Sequence, residues 1–369
     1  MAFPRLRILG RMLRLVPDML RGGPNGRFTA ADLFERQVRR RGGAPFVRFE
    51  GRVHTYAALN ERANRIAHWA LARGLGKGDV VALLMENRPD YLAAWLGLAK
   101  AGVTTALLNT NLRGEALAHG VGAAGAGLVV LGAECAEAWA SLGAQEPAVE
   151  LFVLADPARE HATPPAAKPL DEEIAAMSPH DPPRSVRVDL RGADPLFYIY
   201  TSGTTGLPKA ARFSHARFMG GGTYPLLAGF GRSDVYYCPL PLYHTTGGVI
   251  CVNAVLRSGG TLALVRRFSA SRFWDDVVES GATAFQYIGE LCRYLVNQPP
   301  HPRERAHRLR FAVGNGLQPD VWATFDERFG VPRMVEFYGA TESNVALVNL
   351  DGPRGSVGKP MPGMKTALV

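Results

Sequence analysis

Between residues 79 and 154 short, continuously apolar runs alternate with helical segments, and no other property restricts the fold as much. Residues 79–84, 104–108, 128–131 and 150–154 read as strands. Residues 88–101 and part of 114–125 read as helices. Strands with no polar face must be covered on both sides, which predicts a mostly parallel sheet between layers of helices. After residue 195 the pattern returns, with strands at 195–200, 235–238, 261–265, 284–287, 310–313 and 334–337. Helices are expected over 239–255, 269–280, 290–296 and 319–329, the last opening on Pro319, which suits a first turn. The expected fold class is α/β: two stacked, mostly parallel sheet lobes covered by helices, with the beginning of a barrel-like β subdomain at the C-terminal end.

The expected organisation follows from this. Residues 1–28 form a basic amphipathic segment, 29–195 a first lobe, 196–350 a second lobe, and 351–369 the start of a β subdomain. Within the first lobe a helix starts near Thr29. Two strands, 45–49 and 52–55, face each other across a Glu50-Gly51 turn. Thr55 caps a long amphipathic helix that Gly74 closes. The proline-, alanine- and acid-rich stretch 156–183 reads as a surface excursion, because the strand ahead of Thr201 must belong to the same sheet system.

Ligands of open parallel sheets bind at the carboxyl ends of the strands. Three loops lie at such ends: 201–209, 314–317 and 338–342. The first runs Tyr200-Thr-Ser-Gly-Thr-Thr-Gly-Leu-Pro-Lys209. Small residues let backbone N–H groups converge, and the hydroxyls of Thr201, Ser202, Thr204 and Thr205 with the Lys209 ammonium add donors, which is what a polyphosphate needs. A nucleotide-kinase loop requires lysine directly after glycine, then a hydroxyl residue. Here Leu207 and Pro208 separate Gly206 from Lys209, and Ala210 follows. The loop is a phosphate loop of another kind.

In the other two loops Gly314 and Gly316 permit close approach to a flat base, and Tyr338 offers a ring to stack on it. Thr341 can donate to a phosphate oxygen, and Glu342 suits Mg²⁺ held on phosphates. His244, in Pro239-Leu-Pro-Leu-Tyr-His-Thr-Thr-Gly-Gly248, either positions a substrate carboxylate or serves the core. No Ser-His-Asp order and no H-E-x-x-H is evident. Lysine, carboxylate and base pocket together point to nucleotidyl transfer, in which a substrate carboxylate attacks the α-phosphate and displaces pyrophosphate.

Composition narrows the setting. Apolar residues make up 47% and charged residues 20%, as in a globular protein. No run of 18 apolar residues exists to span a bilayer. Cys135, Cys238, Cys251 and Cys292 lack metal-ligand spacing, so a reducing, cytoplasmic setting is the default. Of the formal net charge of +9, the first fifty residues supply +7, from eleven Arg against four acidic residues. Residues 3–21 interleave arginines with Leu6, Leu9, Leu13, Val16 and Leu20, which share one helical face. Such a segment reads as a docked helix, as a peripheral contact with the inner face of a membrane, or as a nucleic-acid tail; no aromatic-basic platform supports the last. The sequence contains no recognisable dimer interface, and a homodimer stays open.

The 200–209 loop resembles the signature of the adenylate-forming acyl-CoA synthetases. Pro239–Gly247, Gly314-Asn-Gly-Leu-Gln-Pro-Asp320 and Val335-Glu-Phe-Tyr-Gly-Ala-Thr-Glu342 resemble the very-long-chain acyl-CoA synthetase or fatty acid transport protein branch, from about residue 29 to the end. The resemblance implies ATP, Mg²⁺ and coenzyme A as reaction partners of a fatty acid, which is converted to acyl-adenylate and then to acyl-CoA. It implies that Thr201, Ser202, Gly203, Thr204, Thr205, Gly206 and Lys209 hold the β- and γ-phosphates. By the same resemblance Gly314, Asn315, Gly316, Leu317, Phe337, Tyr338 and Gly339 form the adenine pocket. Thr341 touches the α-phosphate, Glu342 holds Mg²⁺, and residues 287–290 and 244–248 line the acyl tunnel. Lys209, His244, Thr341 and Glu342 are the expected catalytic set. Ser343 stands where this branch usually has glycine. The family's small C-terminal domain, with its adenylation lysine, has no counterpart in the 369 residues, so the chain by itself is expected to bind ATP and acid yet adenylate weakly. Other readings are a ligase for bile-acid-like or carnitine-like acids, and a fatty-acid uptake protein without efficient catalysis.

Overall fold

The computed structural model describes residues 3–202, 207–342, 347–350 and 352–361. Two sheets form the frame, each with helices packed against it. One has seven strands, in spatial order Lys168–Pro169, Glu150–Leu154, Leu128–Gly132, Val80–Leu84, Thr104–Leu107, Pro195–Ser202 and Pro208–Ser214. All neighbours are parallel except the last pair. The other has nine strands, beginning at one edge with Lys359–Pro360, Leu347–Asn349, Met334–Tyr338 and Phe311–Asn315. It continues through Ala284–Ile288, Val235–Cys238, Thr261–Leu264, Pro45–Phe49 and Arg52–Thr55. Antiparallel pairing is confined to its two edges.

Sheet membership crosses residue 195 in both directions. The early 45–55 hairpin joins the nine-stranded sheet through Val47 opposite Leu262, whereas the strands flanking the phosphate loop complete the seven-stranded sheet through Phe197 opposite Thr105. The strand Pro208–Ser214 was not anticipated. It returns along Pro195–Ser202 with Thr201 opposite Lys209, so the phosphate loop is the tip of a β-hairpin. Of the expected subdomain at 351–369, the described residues hold one two-residue strand, Lys359–Pro360, antiparallel to Leu347–Asn349 at the edge of the larger sheet; residues 362–369 lie outside the described residues.

Local chemistry explains many element boundaries. Thr29 and Asp32 make a reciprocal capping box at the helix Ala30–Arg41, and the Thr55 hydroxyl accepts from the Ala58 N–H at 3.1 Å. Glu50 and Gly51 both have positive φ, 46° and 73°, as a two-residue hairpin turn demands. The helix Pro89–Ala101 is buried along nearly its whole length, with Trp95 edge-on to Phe197 at 5.0 Å. Its last turn carries Lys100, wholly buried, whose ammonium donates to Asn60, Asn64 and Asp181 at 2.6–2.7 Å. Those bonds, with Asn64 donating to the Pro179 carbonyl at 2.7 Å, fasten the 156–183 excursion to the first helices.

Asn87 joins the two sheets. Its amide donates to the carbonyls of Leu240 and Val265 at 2.9 and 3.0 Å and accepts from the Leu242 N–H at 2.8 Å. The segment bearing His244 is thereby held against the end of the Val80–Leu84 strand. The N-terminal helix Phe3–Arg21 docks on the body: Asp18 takes both Arg36 guanidinium nitrogens at 2.6 Å, and Arg11 donates to the Leu227 carbonyl at 2.8 Å. Among the described residues no helix is long and apolar enough to cross a membrane. All four cysteines are buried and unpaired.

Candidate active site

The hairpin 195–214 ends one sheet, and the loops after Phe311–Asn315 and Met334–Tyr338 end the other. Side chains from the two sheets meet at Glu342. Its exposed carboxylate lies close to the Thr201 hydroxyl, which, with the nearby Arg217 guanidinium, lowers its pKa. Arg217 donates to the Thr341 carbonyl at 2.5 Å and lies over the Phe213 ring at 4.2 Å. Burial depresses the Arg217 pKa, and Glu342 opposes that depression. The Thr341 hydroxyl lies 3.1 Å from that of Thr245, which ties the Glu342 loop to the His244 segment. Thr201, Thr341 and Glu342 are therefore brought together as a group, and Arg217 is a cation in their midst that the sequence reading missed.

Lys209 is exposed near the tip of the hairpin and forms no ion pair among the described residues. Gly203, Thr204, Thr205 and Gly206 lie outside the described residues, as does the Ser202 side chain.

Residues 314–317 are braced from behind. Glu336, 3% exposed, accepts from the Tyr287 hydroxyl at 2.6 Å and from the N–H groups of Gly316 and Leu317 at 3.1 and 3.2 Å. Burial raises the Glu336 pKa. Gly314 has no room for a side chain, since a Cβ would sit 2.4 Å from the Tyr287 ring, and Gly316 has a φ of +78°. The glycines thus admit Tyr287 and Glu336 as closely as they would admit a base. Glu336 was detectable in principle: it is a lone carboxylate inside the apolar run Met334-Val-Glu-Phe337.

Adjacent strand residues point to opposite faces. Phe337 is accordingly buried, its ring stacked on Tyr224 at 5.3 Å and 19°, whereas Tyr338 is 60% exposed. Of the two rings expected at the base pocket, Tyr338 is the accessible one and Phe337 supports the floor. Gly339 follows it as an exposed residue, and Asn315 is half-buried.

The segment after His244 forms a π-helical turn, Thr245–Cys251, before an α-helix to Ser258. Such turns widen the helix by one residue and occur often at functional sites. His244 is open to solvent, yet the protein atoms around it lower its pKa, as in a recess rather than on a convex surface. A cavity of about 250 Å³ borders this segment, lined by Asn111, Leu240, Tyr243, Ile288, Glu290 and Tyr294. Of residues 287–290, Ile288 and Glu290 face that cavity, whereas Tyr287 turns to Glu336. Two larger depressions, about 600 and 970 Å³, surround the 49–53 hairpin and Arg266 and include no residue of the three loops.

Comparison with known proteins gives the family and the fold. The AMP-binding enzyme family matches residues 34–369. Long-chain fatty acid transport protein 1 of Bos taurus is 46% identical over 319 residues, covering 84% of this chain and 48% of that protein. A medium/long-chain fatty acid–CoA ligase of Mycobacterium tuberculosis is 39% identical over 366 residues, covering 95% of this chain and 58% of the ligase. The chain therefore spans about half the length of the curated relatives it matches. Among solved structures, a benzoate CoA ligase from Burkholderia xenovorans superposes with a TM-score of 0.79 at 22% identity, covering 91% of this chain and 66% of that one, and shows the same fold. ATP-bound MatB from Rhodopseudomonas palustris gives a TM-score of 0.74 at 27% identity, with 90% and 65% covered. The chain belongs to the AMP-binding, adenylate-forming acyl-CoA synthetases and stands close to their long-chain, fatty acid transport protein branch.

Proposed function

We propose that this chain binds ATP between its two sheets and activates a long- or very-long-chain fatty acid, and that the longer protein then transfers the acyl group to coenzyme A. One observation carries the reading: Arg217, just past the phosphate hairpin, donates to the Thr341 carbonyl at 2.5 Å, which brings the Thr341–Glu342 loop of the opposite sheet to the hairpin beside the braced loop 314–317. The adenine lies against that loop and the Tyr338 ring. The triphosphate extends toward the hairpin, where Lys209 and the Thr201 hydroxyl meet its negative charge. The fatty carboxylate attacks the α-phosphorus, forming the acyl–phosphate bond as the bond to pyrophosphate breaks. Thr341 donates to the α-phosphate, and His244 orients the incoming carboxylate.

Among the described residues no three His, Cys, Asp or Glu cluster as a metal cage. A single exposed carboxylate fits a Mg²⁺ ion that arrives on the nucleotide and keeps several waters, so Glu342 is the residue that holds it. Bound there, the ion offsets charge on the phosphate oxygens. The fatty-acid names of the relatives at 46% and 39% identity support the choice of acid.

The test combines calorimetric ATP titration with acid-dependent pyrophosphate release, over carboxylates from acetate to very-long-chain acids. Turnover should rise with chain length and collapse in Lys209→Ala and Glu342→Gln. Turnover highest on short or aromatic acids refutes the substrate assignment, and ATP binding indifferent to both substitutions refutes the site.

A further inference from the structure

Thr341 is gripped from two sides, and each grip comes from a different sheet. Its carbonyl takes the Arg217 guanidinium at 2.5 Å. Arg217 belongs to the short helix His215–Gly221, which follows the edge strand Pro208–Ser214 of the seven-stranded sheet. The Thr341 hydroxyl lies 3.1 Å from that of Thr245, in the π-helical turn downstream of Val235–Cys238 in the nine-stranded sheet. Arg217 itself stands on a firm base. The Ser214 hydroxyl accepts from its N–H at 3.3 Å, and the buried His215 beside it accepts from the Ala30 N–H. The guanidinium lies over the buried Phe213 ring at 4.2 Å and also donates to the Arg212 carbonyl at 3.2 Å.

The Thr341 carbonyl is part of the planar peptide unit that joins Thr341 to Glu342, so a bond to that oxygen restrains both residues. A charged donor makes such a bond roughly twice as strong as a neutral one. The Thr341 hydroxyl has one proton; with Thr245 donating to its oxygen, that proton is left for a phosphate oxygen. We propose that Arg217 is a positioning residue for the step in which the fatty carboxylate displaces pyrophosphate: by holding the Thr341–Glu342 peptide, it aims the Thr341 hydroxyl at the α-phosphate. That role rests on the nucleotide site proposed above. A guanidinium suits it better than an ammonium, because a planar fork serves two carbonyls at once and stacks on a ring. A purely electrostatic Arg217 would need only its charge, and a purely structural one would act on the stability of the whole chain. Because the grips come from different sheets, Thr341 is correctly placed only while the hairpin and the π-helical turn keep their mutual register.

Arg217→Lys keeps the charge and loses the fork. In the intact chain its Kd for ATP by calorimetry and its melting temperature should stay close to wild type. Its kcat for acid-dependent pyrophosphate release should fall about tenfold or more, at unchanged KM for ATP. Thr245→Val removes the other grip and should give the same split. Amide hydrogen exchange, which needs no turnover, should quicken at residues 339–342 in Arg217→Lys and stay unchanged at 314–317. Wild-type kcat in Arg217→Lys overturns the proposal, as does unchanged exchange at 339–342. So does a kcat loss matched by weaker ATP binding, which marks a charge role, or by a lowered melting temperature, which marks a structural one. Those outcomes leave the nucleotide site standing; a wild-type chain that neither binds ATP nor releases pyrophosphate refutes the site and this role with it.

Discussion

The two halves of the nucleotide site are built on opposite principles. Residues 314–317 are held by a buried carboxylate that satisfies two backbone N–H groups and a tyrosine hydroxyl, with glycines admitting those partners. The hairpin half presents exposed Lys209 and half-buried Thr201, and it meets the other sheet at the exposed Glu342 carboxylate and through Arg217 on the Thr341 carbonyl. The difference suits the two ends of ATP. A flat, neutral base is recognised by shape, which requires rigid backbone. A polyphosphate is recognised by charge, which acts over a longer range and tolerates a softer frame. Substitutions behind the base loop should therefore cost stability, and substitutions in the hairpin should cost affinity.

The largest expected effect concerns the anchor of the hairpin. His215 follows the return strand, is fully buried, accepts from the Ala30 N–H at 3.3 Å, and has its pKa lowered by burial to about 4. A histidine with a depressed native pKa binds fewer protons folded than unfolded. Its neutral form therefore favours the fold above about pH 6.5, and that contribution declines as pH falls toward 4, by up to about 3 kcal/mol. Urea unfolding at pH 7 and pH 4.5 should show the loss, and His215→Gln should flatten it; an equal slope in both proteins removes His215 as the cause.

Next comes Gly314→Ala, whose Cβ meets Tyr287 at 2.4 Å. A loss of up to about 3 kcal/mol is expected, with ATP affinity lost in parallel. Glu336→Ala strands the buried Leu317 N–H, the part-buried Gly316 N–H and the buried Tyr287 hydroxyl; it should cost about 2 kcal/mol and raise the Kd for ATP about tenfold, with Glu336→Gln recovering part of both. Lys209→Ala should leave the melting temperature unmoved while weakening ATP about tenfold, more at low salt than at high. If Lys209→Ala destabilises as much as Glu336→Ala, the contrast between a rigid and a soft half is mistaken.

What the sequence disclosed and withheld follows the range of the forces involved. The helix start near Thr29, the Thr55 cap, the Glu50-Gly51 turn and the helix ending at Ala101 depend on neighbours within a few residues, and each was readable. The return strand Pro208–Ser214 was not, because Lys209-Ala-Ala-Arg-Phe213 gains its extended form from pairing with Pro195–Ser202 rather than from its own composition. The three loops were found by their glycines and hydroxyls. Arg217 was missed because its importance comes from Thr341 and Glu342, more than a hundred positions away. The burial of Phe337 beside an exposed Tyr338 was implicit in strand alternation and required only the strand's register to be known.

The crossing of the two sheets bears on how the chain is made. As synthesis proceeds, the hairpin at 45–55 emerges long before Thr261–Leu264, the strand it must lie against. Until some two hundred further residues have left the ribosome it presents an unpaired edge, in a nascent chain where such edges invite mispairing. The seven-stranded sheet can close earlier, once Ser214 has been added. Newborn chains should therefore pass through a stage in which one half is structured and the other waits. Expression fragments ending between residues 214 and 261 would hold the protein at its most aggregation-prone moment, whereas those reaching past Leu264 give the early hairpin its partner.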